Sequence, residues 1–302
     1  DAAENLPEFR RQAAEVFASE PGTFEVIVVD DGSTDETATV LAELEERYPF
    51  LRSVRHRTRR GIADALRTGY VHSRGDVLVF YPADLQFKPE DIPKLVEPIL
   101  AGEFDMMTGR KEGEYEKAFV SGIYNGLSRK LFDVPVRDLN SVKAYRREVM
   151  AALPVRPDWH RYMIVVAAHR GFTVGETPIP LYPRMAGKSK FGLSRIPVGV
   201  LDMLAVWFEL RFARKPLLFF GILGAALFFV GVVTGIVAVL YRVIAGVGFR
   251  PLLTLVEVCL LLGSVFFATG LLAELMAAQR AEIAELRRRI EELVVRDTDS
   301  PR

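Results

Sequence analysis

The stretch Glu25–Thr37, EVIVVDDGSTDET, is the most informative part of this 302-residue chain. Its β-branched start predicts a strand over Phe24–Val29, and the pattern after it predicts a helix over Asp35–Tyr48. Between them stand the adjacent carboxylates of Asp30 and Asp31. A helix cap accounts for one polar residue at such a junction. Two adjacent carboxylates can also accept hydrogen bonds from a nucleobase or from ribose hydroxyls.

Two further apolar runs predict strands over Asp76–Tyr81 and Phe104–Thr108. Polar residues follow each of them: Asp84 and Gln86 come after the first, and Gly109-Arg110 comes after the second. Strands that alternate with helices indicate a mostly parallel, doubly wound α/β sheet. Ligands of such sheets bind beyond the carboxyl ends of the strands. The three polar clusters therefore predict one binding site.

The second of these clusters has the chemistry of a metal site. The carboxylate of Asp84 and the amide oxygen of Gln86 stand two residues apart. Oxygen ligands suit Mg²⁺ or Mn²⁺, which take their other ligands from water and substrate phosphates. We therefore predict Mg²⁺ or Mn²⁺ as the cofactor. The four histidines show no metal-ligand spacing and are predicted to be structural or exposed: His56, His72, His160 and His169.

The second half of the chain predicts a membrane hairpin. Residues 217–241 and 252–272 are apolar runs, and a helix of roughly 20 residues crosses the hydrocarbon layer of a bilayer. Core helices of a soluble protein are the alternative. Cations flank the hairpin more densely than they occupy its connection, so the positive-inside rule predicts that both flanks are cytoplasmic. We therefore expect an integral protein of an inner or plasma membrane, with its α/β domain in the cytoplasm.

Four regions are expected along the chain. Residues 1–192 form the α/β domain, 193–215 an interfacial amphipathic helix, 216–274 the hairpin and 275–302 an amphipathic tail. A helix that packs on the soluble domain is the alternative for the second region. In the tail, a seam from Met276 to Leu293 predicts either a coiled coil that holds a homo-oligomer or local packing. The net charge of zero argues against a nucleic-acid partner.

Five motifs occur in a familiar order: EVIVVDDGSTDET, RGDVLVFYPADLQFKPEDI, MMTGRKEG, RDLNSVKAYRREV and RMAGKSKFGLSRI. Together they resemble family 2 glycosyltransferases, most closely the branch of dolichyl-phosphate mannose synthases and bacterial polyprenyl-phosphate glycosyltransferases. The GKSKF segment is typical of the lipid-phosphate branch. The resemblance implies a GT-A fold, a Rossmann-like sheet with a nucleotide-sugar site. It also implies inverting transfer of a hexose from a GDP- or UDP-sugar to a polyprenyl phosphate.

The resemblance implies roles for single residues on the donor side. Asp30 and Asp31 match the acidic pair that holds the nucleoside, and Asp31 is expected to contact the base. Asp84 and Gln86 match the metal-binding part of an Asp-x-Asp-x-Gln signature, so Asp84 is expected in the donor, metal and catalytic sets. The loop expected to close over the donor diphosphate contributes Arg184, Ser189 and Lys190.

Other residues match the acceptor side of these enzymes. Arg110 matches a basic residue near the acceptor phosphate, and Arg137 is expected to help position that phosphate. Asp138 and Ser141 match an acceptor-side Asp and Ser segment. The expected catalytic set is therefore Asp84, Arg110, Asp138 and Ser141.

Three departures from the family pattern leave alternatives open. Pro82 stands where the signature has its first Asp, Ser141-Val142-Lys143 lacks the usual Gly-Phe, and the opening strand expected before Glu4 is absent. The chain is therefore expected to be a fragment of a longer protein. Pro82 keeps open a catalytically impaired membrane scaffold. An enzyme that extends a glycolipid or polysaccharide is a further alternative, although no QxxRW motif precedes Trp159 or Trp207.

Overall fold

The computed structural model describes residues 3–19, 22–112, 126, 128, 131–153, 159–183, 196–213 and 215–298. The chain divides into two compact units, Asp1–Trp207 and Phe208–Arg302. Helices and strands alternate in the first unit, whereas the second is helical.

The first unit contains six described strands and most of the helices, and its last helix extends beyond Trp207 into the second unit. In chain order they are α1 (Leu6–Ser19), β1 (Val26–Asp30), α2 (Thr37–Arg47), β2 (Leu51–Arg55), α3 (Ile62–His72), β3 (Val77–Phe80), α4 (Ile92–Leu100), β4 (Met106–Glu112), β5 (Lys143–Arg146), α5 (Arg147–Ala152), α6 (Met163–His169), β6 (Val174–Pro180) and α7 (Ile196–Phe212). Short 3₁₀ turns precede α4 at Pro89–Asp91 and α6 at Trp159–Tyr162.

The strands form two sheets. β1 and β2 pair in parallel, and the larger sheet has the order β3-β5-β4-β6. β4 and β6 are parallel, but β5 is antiparallel to both β3 and β4. β3, β4 and β6 therefore run in one direction, as a mostly parallel sheet requires, and within the larger sheet only the described strand β5 runs against them. The chain leaves β4 at its carboxyl end and re-enters the sheet from that same end, with Lys143 opposite Thr108, so β5 must run in the reverse direction.

The main core lies between α4 and the larger sheet. Leu95 and Ile99 of α4 are completely buried and pack with Met107, Ala144 and Ile179 of three different strands. Apolar residues spaced three and four apart give α4 one apolar face. This packing fixes β4 and β5 side by side, and the loops at their ends are positioned accordingly.

Helix α7 has one face packed within the first unit. Met203 and Val206 are buried, and the Tyr162 hydroxyl donates to the Gly199 carbonyl over 3.2 Å. On its other side Leu201 and Leu204 are exposed. The helix thus packs on protein with one face and leaves apolar side chains uncovered on another.

The second unit is an antiparallel pair of long helices, α8 (Pro216–Ala245) and α9 (Arg250–Thr298). They approach closely at Gly224 and Gly263, where an added Cβ would lie 2.8 Å from backbone atoms of the facing helix. Glu274 of α9 accepts a hydrogen bond from the Leu217 N–H over 3.2 Å, at the start of α8. A carboxylate there satisfies a free amide and complements the helix dipole.

Both helices are long and apolar enough to cross a membrane. In each, only 17% of the most apolar window is buried, whereas the core helix of a soluble protein is mostly buried. The two helices therefore suggest membrane association. α9 continues without a break through the predicted boundary at 274–275, and four seam residues are exposed: Met276, Ile283, Leu286 and Ile290.

Candidate functional site

Asp30 is the last residue of β1, and its side chain is buried. One carboxylate oxygen accepts from the Ser33 N–H over 2.8 Å, which tightens the turn after the strand. The other, Oδ2, lies 3.2 Å from Arg55 Nε in an ion pair without hydrogen-bond geometry. Among the described residues this buried Oδ2 atom has no hydrogen-bond partner.

Asp31 holds the segment between β2 and α3. Its Oδ1 atom lies 2.8 Å from His56 Nδ1 and accepts from the Arg60 N–H over 2.8 Å, while Oδ2 accepts from the Gly61 N–H over 2.8 Å. Burial by itself raises the pKa of Asp31. The bonds from His56 and the two amides outweigh that effect, so the pKa lies below its usual value.

His56 is the buried support of this arrangement. Its ring bridges Asp31 and Thr68, whose Oγ1 atom lies 2.8 Å from Nε2. Gly32 has a φ of +74°, and a Cβ there would lie 2.8 Å from Arg59 N, so glycine is required where the segment crosses the turn. The end of β2 and the segment after it carry four exposed arginines, which line this end of the first sheet: Arg55, Arg57, Arg59 and Arg60.

The loop after β3 carries Asp84 and Gln86, both half-buried. The Tyr81 hydroxyl donates to the Phe87 carbonyl and closes the loop. Leu85 between the two polar residues is buried and has a positive φ of 54°, a conformation uncommon for leucine. The Gln86 N–H lies 3.3 Å from Asp84 Oδ1. Burial, followed by the charges of Asp84 and Asp91, raises the pKa of Tyr81, which keeps its hydroxyl a donor.

This pair fits a divalent cation that is shared with a ligand. Across the described residues no group of three His, Cys, Asp or Glu side chains is arranged to hold a metal alone. Mg²⁺ at phosphate sites needs only one or two protein oxygens because waters and phosphates supply the others. Asp84 and Gln86 provide two such oxygens on one tight turn.

Residues 137–142 form a loop that is held at both ends, and we call it the acceptor-side loop after the role predicted for Asp138 and Ser141. Glu176 of β6 accepts from the N–H groups of Arg137 over 2.7 Å and Asp138 over 2.9 Å. Asp138 is buried, and its Oδ1 accepts from the Asn140 N–H over 2.9 Å. Lys111 also forms an ion pair with this carboxylate, with its Nζ 3.5 Å from Asp138 Oδ2.

Two lysines donate hydrogen bonds to consecutive backbone carbonyls of this loop. Lys111 Nζ donates to Asn140 O over 2.6 Å, and Lys143 Nζ donates to Ser141 O over 2.7 Å. Lys143 is 1% exposed, and burial lowers its pKa to about 7. The neighbouring charge of Lys111 also lowers that pKa, whereas Asp138 raises it. The buried Ser141 Oγ has no hydrogen-bond partner in the described part of the chain.

Arg110 lies beside this loop. Its Nη2 atom is 3.2 Å from Glu112 Oε1, and about a third of its side chain is exposed. Gly109 donates its N–H to Val142 O over 2.9 Å, and an added Cβ there would lie 3.0 Å from Ser141 Oγ. Glycine thus lets the acceptor-side loop lie directly on β4.

Sheet register brings some predicted site residues together. Lys143 of β5 is opposite both Phe80 of β3 and Thr108 of β4. One end of the larger sheet therefore carries the Asp84–Gln86 loop, Arg110 and the loop with Arg137, Asp138 and Ser141. We refer to it as the edge where these residues meet. No strand pairing in the described chain ties Asp30 and Asp31 to this edge. Arg184, Ser189 and Lys190 lie outside the described residues.

The sequence did not reveal four supporting residues: His56, Lys111, Lys143 and Glu176. His56 follows β2 directly, and its position at a strand end was the only signal available. Lys111 and Glu176 act on a loop that lies 29 and 39 residues away in the chain, whereas Lys143 bonds Ser141, two residues before it. Their roles depend on sheet order.

Comparison with known proteins gives the family. The model of glycosyl transferase family 2 matches residues 3–134. A dodecaprenyl-phosphate galacturonate synthase of Rhizobium johnstonii is 32% identical over 277 residues, covering 88% of this chain and 82% of that protein. The chain belongs to glycosyl transferase family 2. This glycosyltransferase is of the polyprenyl-phosphate sugar transferase type, as the resemblance predicted.

Other relatives agree with that assignment. An undecaprenyl-phosphate 4-deoxy-4-formamido-L-arabinose transferase of Pseudomonas savastanoi pv. phaseolicola is 26% identical, covering 98% of this glycosyltransferase and 88% of the relative. A crystal structure of a mycobacterial protein has a TM-score of 0.55 at 18% identity, covering 70% of this chain and 71% of the other. Glucosyl-3-phosphoglycerate synthase from Mycobacterium tuberculosis, in complex with Mn²⁺, UDP and phosphoglyceric acid, has a TM-score of 0.51 at 21% identity, covering 62% and 67%. These likenesses show a GT-A-like α/β fold in this glycosyltransferase.

Proposed function

We propose that this glycosyltransferase moves a hexose, with inversion, from a GDP- or UDP-sugar to a polyprenyl phosphate at the cytoplasmic face of a membrane. One observation carries the proposal: the register of β5 joins the Asp84–Gln86 loop, Arg110 and the acceptor-side loop at a single sheet edge. A donor and an anionic acceptor can meet there. The names of the relatives, which include polyprenyl-phosphate acceptors, support the acceptor class.

On the donor side, Asp30 and Asp31 would hold the nucleoside. Support comes from the buried Oδ2 of Asp30, which lacks a hydrogen-bond partner among described residues and can accept from a base or a ribose hydroxyl. Asp31 contributes in a second way, because its three hydrogen bonds fix the arginine-bearing segment beside that position. Arg184, Ser189 and Lys190 remain proposed contacts of the donor diphosphate.

Asp84 and Gln86 would hold Mg²⁺ or Mn²⁺. When bound, the cation neutralises charge on the leaving diphosphate, as Lewis-acid metal sites do. The tight turn at Leu85 and the Tyr81 hydroxyl keep the two oxygen donors on one short loop.

Arg110 and Arg137 would position the acceptor phosphate, because arginine suits contacts to two phosphate oxygens. The phosphate is ionised near neutral pH, so it can attack the anomeric carbon without a strong base. A single displacement inverts the configuration at that carbon. Asp138 and Ser141 would orient the acceptor, and both belong to a loop that Glu176 and two lysines hold in place.

Membrane attachment fits this chemistry because the acceptor is a lipid. α8 and α9 would span the bilayer, and α7 would lie at its surface through exposed apolar residues such as Leu201 and Leu204. The catalytic domain would face the cytoplasm, where nucleotide sugars are made. The exposed seam at Ile283, Leu286 and Ile290 supports a homo-oligomer joined through the α9 tail.

The test is transfer by purified enzyme in detergent from a panel of GDP- and UDP-sugars to polyprenyl phosphate. We expect one donor to be used and EDTA to abolish transfer. Asp84→Asn should lower transfer by roughly 10- to 100-fold or more, since even outer partners of metal ligands have effects of that size. Glu46→Gln, at an exposed position on α2, is the matched control and should be neutral.

Two outcomes would overturn this function. Transfer to a glycan but never to polyprenyl phosphate would indicate an enzyme that extends glycolipids or polysaccharides. Absence of transfer to every acceptor would indicate a membrane scaffold. Full activity after EDTA treatment would remove the metal from the proposal.

A further inference from the structure

Lys143 has no assigned role in the reaction, yet among the described residues it is the most deeply buried cation beside the candidate site. We propose that Lys143 is a positioning residue for the acceptor: its amine fixes Ser141, and its protonated form supplies positive charge beneath the acceptor-side loop. This inference rests on the proposed function because it assumes an anionic lipid phosphate above that loop.

The location of Lys143 is set by the sheet. It is the first residue of β5 and lies opposite Phe80 and Thr108, the residues just before the Asp84 loop and just before Gly109-Arg110. Its Nζ atom is 5.9 Å from the centroid of the Phe80 ring. Lys143 therefore lies under the end of the sheet where the Asp84–Gln86 loop, Arg110 of β4 and the acceptor-side loop meet.

The contacts of Lys143 act on the acceptor-side loop. Glu176 holds two N–H groups at the start of the loop, and the two lysines hold the carbonyls of Asn140 and Ser141 near its end. The hydrogen bond from Lys143 is 2.7 Å long and buried. Loss of this bond frees the Ser141 carbonyl, and the buried Ser141 hydroxyl has no hydrogen-bond partner among the described residues that would hold the residue instead.

The electrostatic setting makes the charge of Lys143 responsive. Burial lowers its pKa to about 7, Lys111 of β4 lowers it too, and Asp138 of the loop raises it. β3 adds no titratable side chain from Val77 to Phe80. On the same face of β5, burial raises the pKa of Tyr145 and keeps that hydroxyl neutral. An anion bound above the loop favours the protonated amine, and by reciprocity the protonated amine favours the anion.

The expected effect of Lys143 on stability differs from its expected effect on acceptor binding. An ammonium whose pKa falls on folding costs stability at acidic and neutral pH, and that cost fades as the pH rises from about 7 to the pKa of the unfolded chain. Lys143→Met keeps a similar side-chain volume and removes the charge. The variant should therefore melt at or above the wild-type temperature at pH 6, so a kinetic defect would not reflect unfolding.

The experiment compares full-length wild type, Lys143→Met and Lys94→Met in detergent with short-chain polyprenyl phosphate. Lys94 is a half-exposed lysine on α4, outside the site, that pairs with the buried Asp91, so its variant should lose some thermal stability but keep the wild-type donor and acceptor KM. For Lys143→Met we expect the KM for polyprenyl phosphate to rise roughly tenfold, the effect of one charge-assisted hydrogen bond, with an unchanged donor KM. Wild-type acceptor kcat/KM should fall as pH rises through 7, relative to Lys143→Met.

Ionisation of the lipid phosphate affects the pH profiles of wild type and Lys143→Met equally, so it cancels in the comparison of the two enzymes. An unchanged acceptor KM in Lys143→Met would overturn the proposal, as would equal rises in donor and acceptor KM. If the methionine variant fails to fold, Lys143→Gln is judged by the same acceptor and donor constants. Wild type that never uses polyprenyl phosphate would instead refute the proposed function, so the two failures are distinguishable.

Discussion

Replacing His56 with alanine should weaken donor binding, although we assign this residue no contact with the donor. His56 lies behind Asp31 and joins its carboxylate to Thr68 through two 2.8 Å contacts. Without the ring, Asp31 keeps only the Arg60 and Gly61 amides, and its carboxylate can turn away from the nucleoside position. The arginine-bearing segment between β2 and α3 loosens for the same reason.

The size of the effect follows from these contacts. A buried polar group left without its partner costs about 1–3 kcal/mol, so two such groups cost roughly 2–4 kcal/mol after water enters the space. For a domain of about 200 residues, this lowers Tm by roughly 5–15 °C. Donor KM should rise about tenfold if some 1.4 kcal/mol of that cost appears in binding.

Thermal unfolding in detergent and steady-state kinetics measure both quantities. His72→Ala is the matched control because His72 is an exposed histidine on α3 whose ring, among described residues, is bonded only to the nearby Thr68 carbonyl. It should change neither Tm nor donor KM. A His56→Ala enzyme with wild-type Tm and donor KM would refute the view that Asp31 is positioned through His56.

Two further predictions concern the helical unit. Gly224→Ala should lower the free energy of unfolding in detergent by about 1–3 kcal/mol, because its Cβ would lie 2.8 Å from the backbone of α9. Gly235→Ala, with Val256 at 3.5 Å, should be neutral, and equal effects would contradict the close approach. For topology, a cysteine introduced at Gly248 should react with a membrane-impermeant reagent outside intact cells, and one at Arg288 should not. The reverse pattern would overturn the cytoplasmic orientation.

Elements with a strong local pattern were predictable from sequence. The β-branched run predicted a strand at 24–29, which is observed as Val26–Asp30. The helix after it begins at Thr37, two residues later than predicted. β4 was predicted to end at Thr108 but continues to Glu112, because Arg110 and Lys111 pair with β6. β6 itself, VGETPIP, was not predicted. It is an edge strand, where prolines need not donate to a neighbour.

The candidate site divides in a similar way. Asp84 and Gln86 could be found because polar residues directly follow an apolar run. Lys143 could not, since a lysine that opens a four-residue strand looks like an ordinary surface residue. Only the reversed direction of β5 brings it between Phe80 and Thr108. The role of His56 as a support for Asp31 likewise depends on a pairing across 25 residues.

The unbroken course of α9 has a geometric consequence. Its 49 residues extend over about 74 Å, from the helix start at Arg250 to Thr298. The glycine face at Gly263 and the seam at Ile283 and Leu286 share one helix axis, so their angular phase is fixed by residue count alone. One inserted residue between them would rotate the seam by about 100° relative to the face packed on α8. The direction in which the tail presents its apolar stripe is therefore set inside the hairpin.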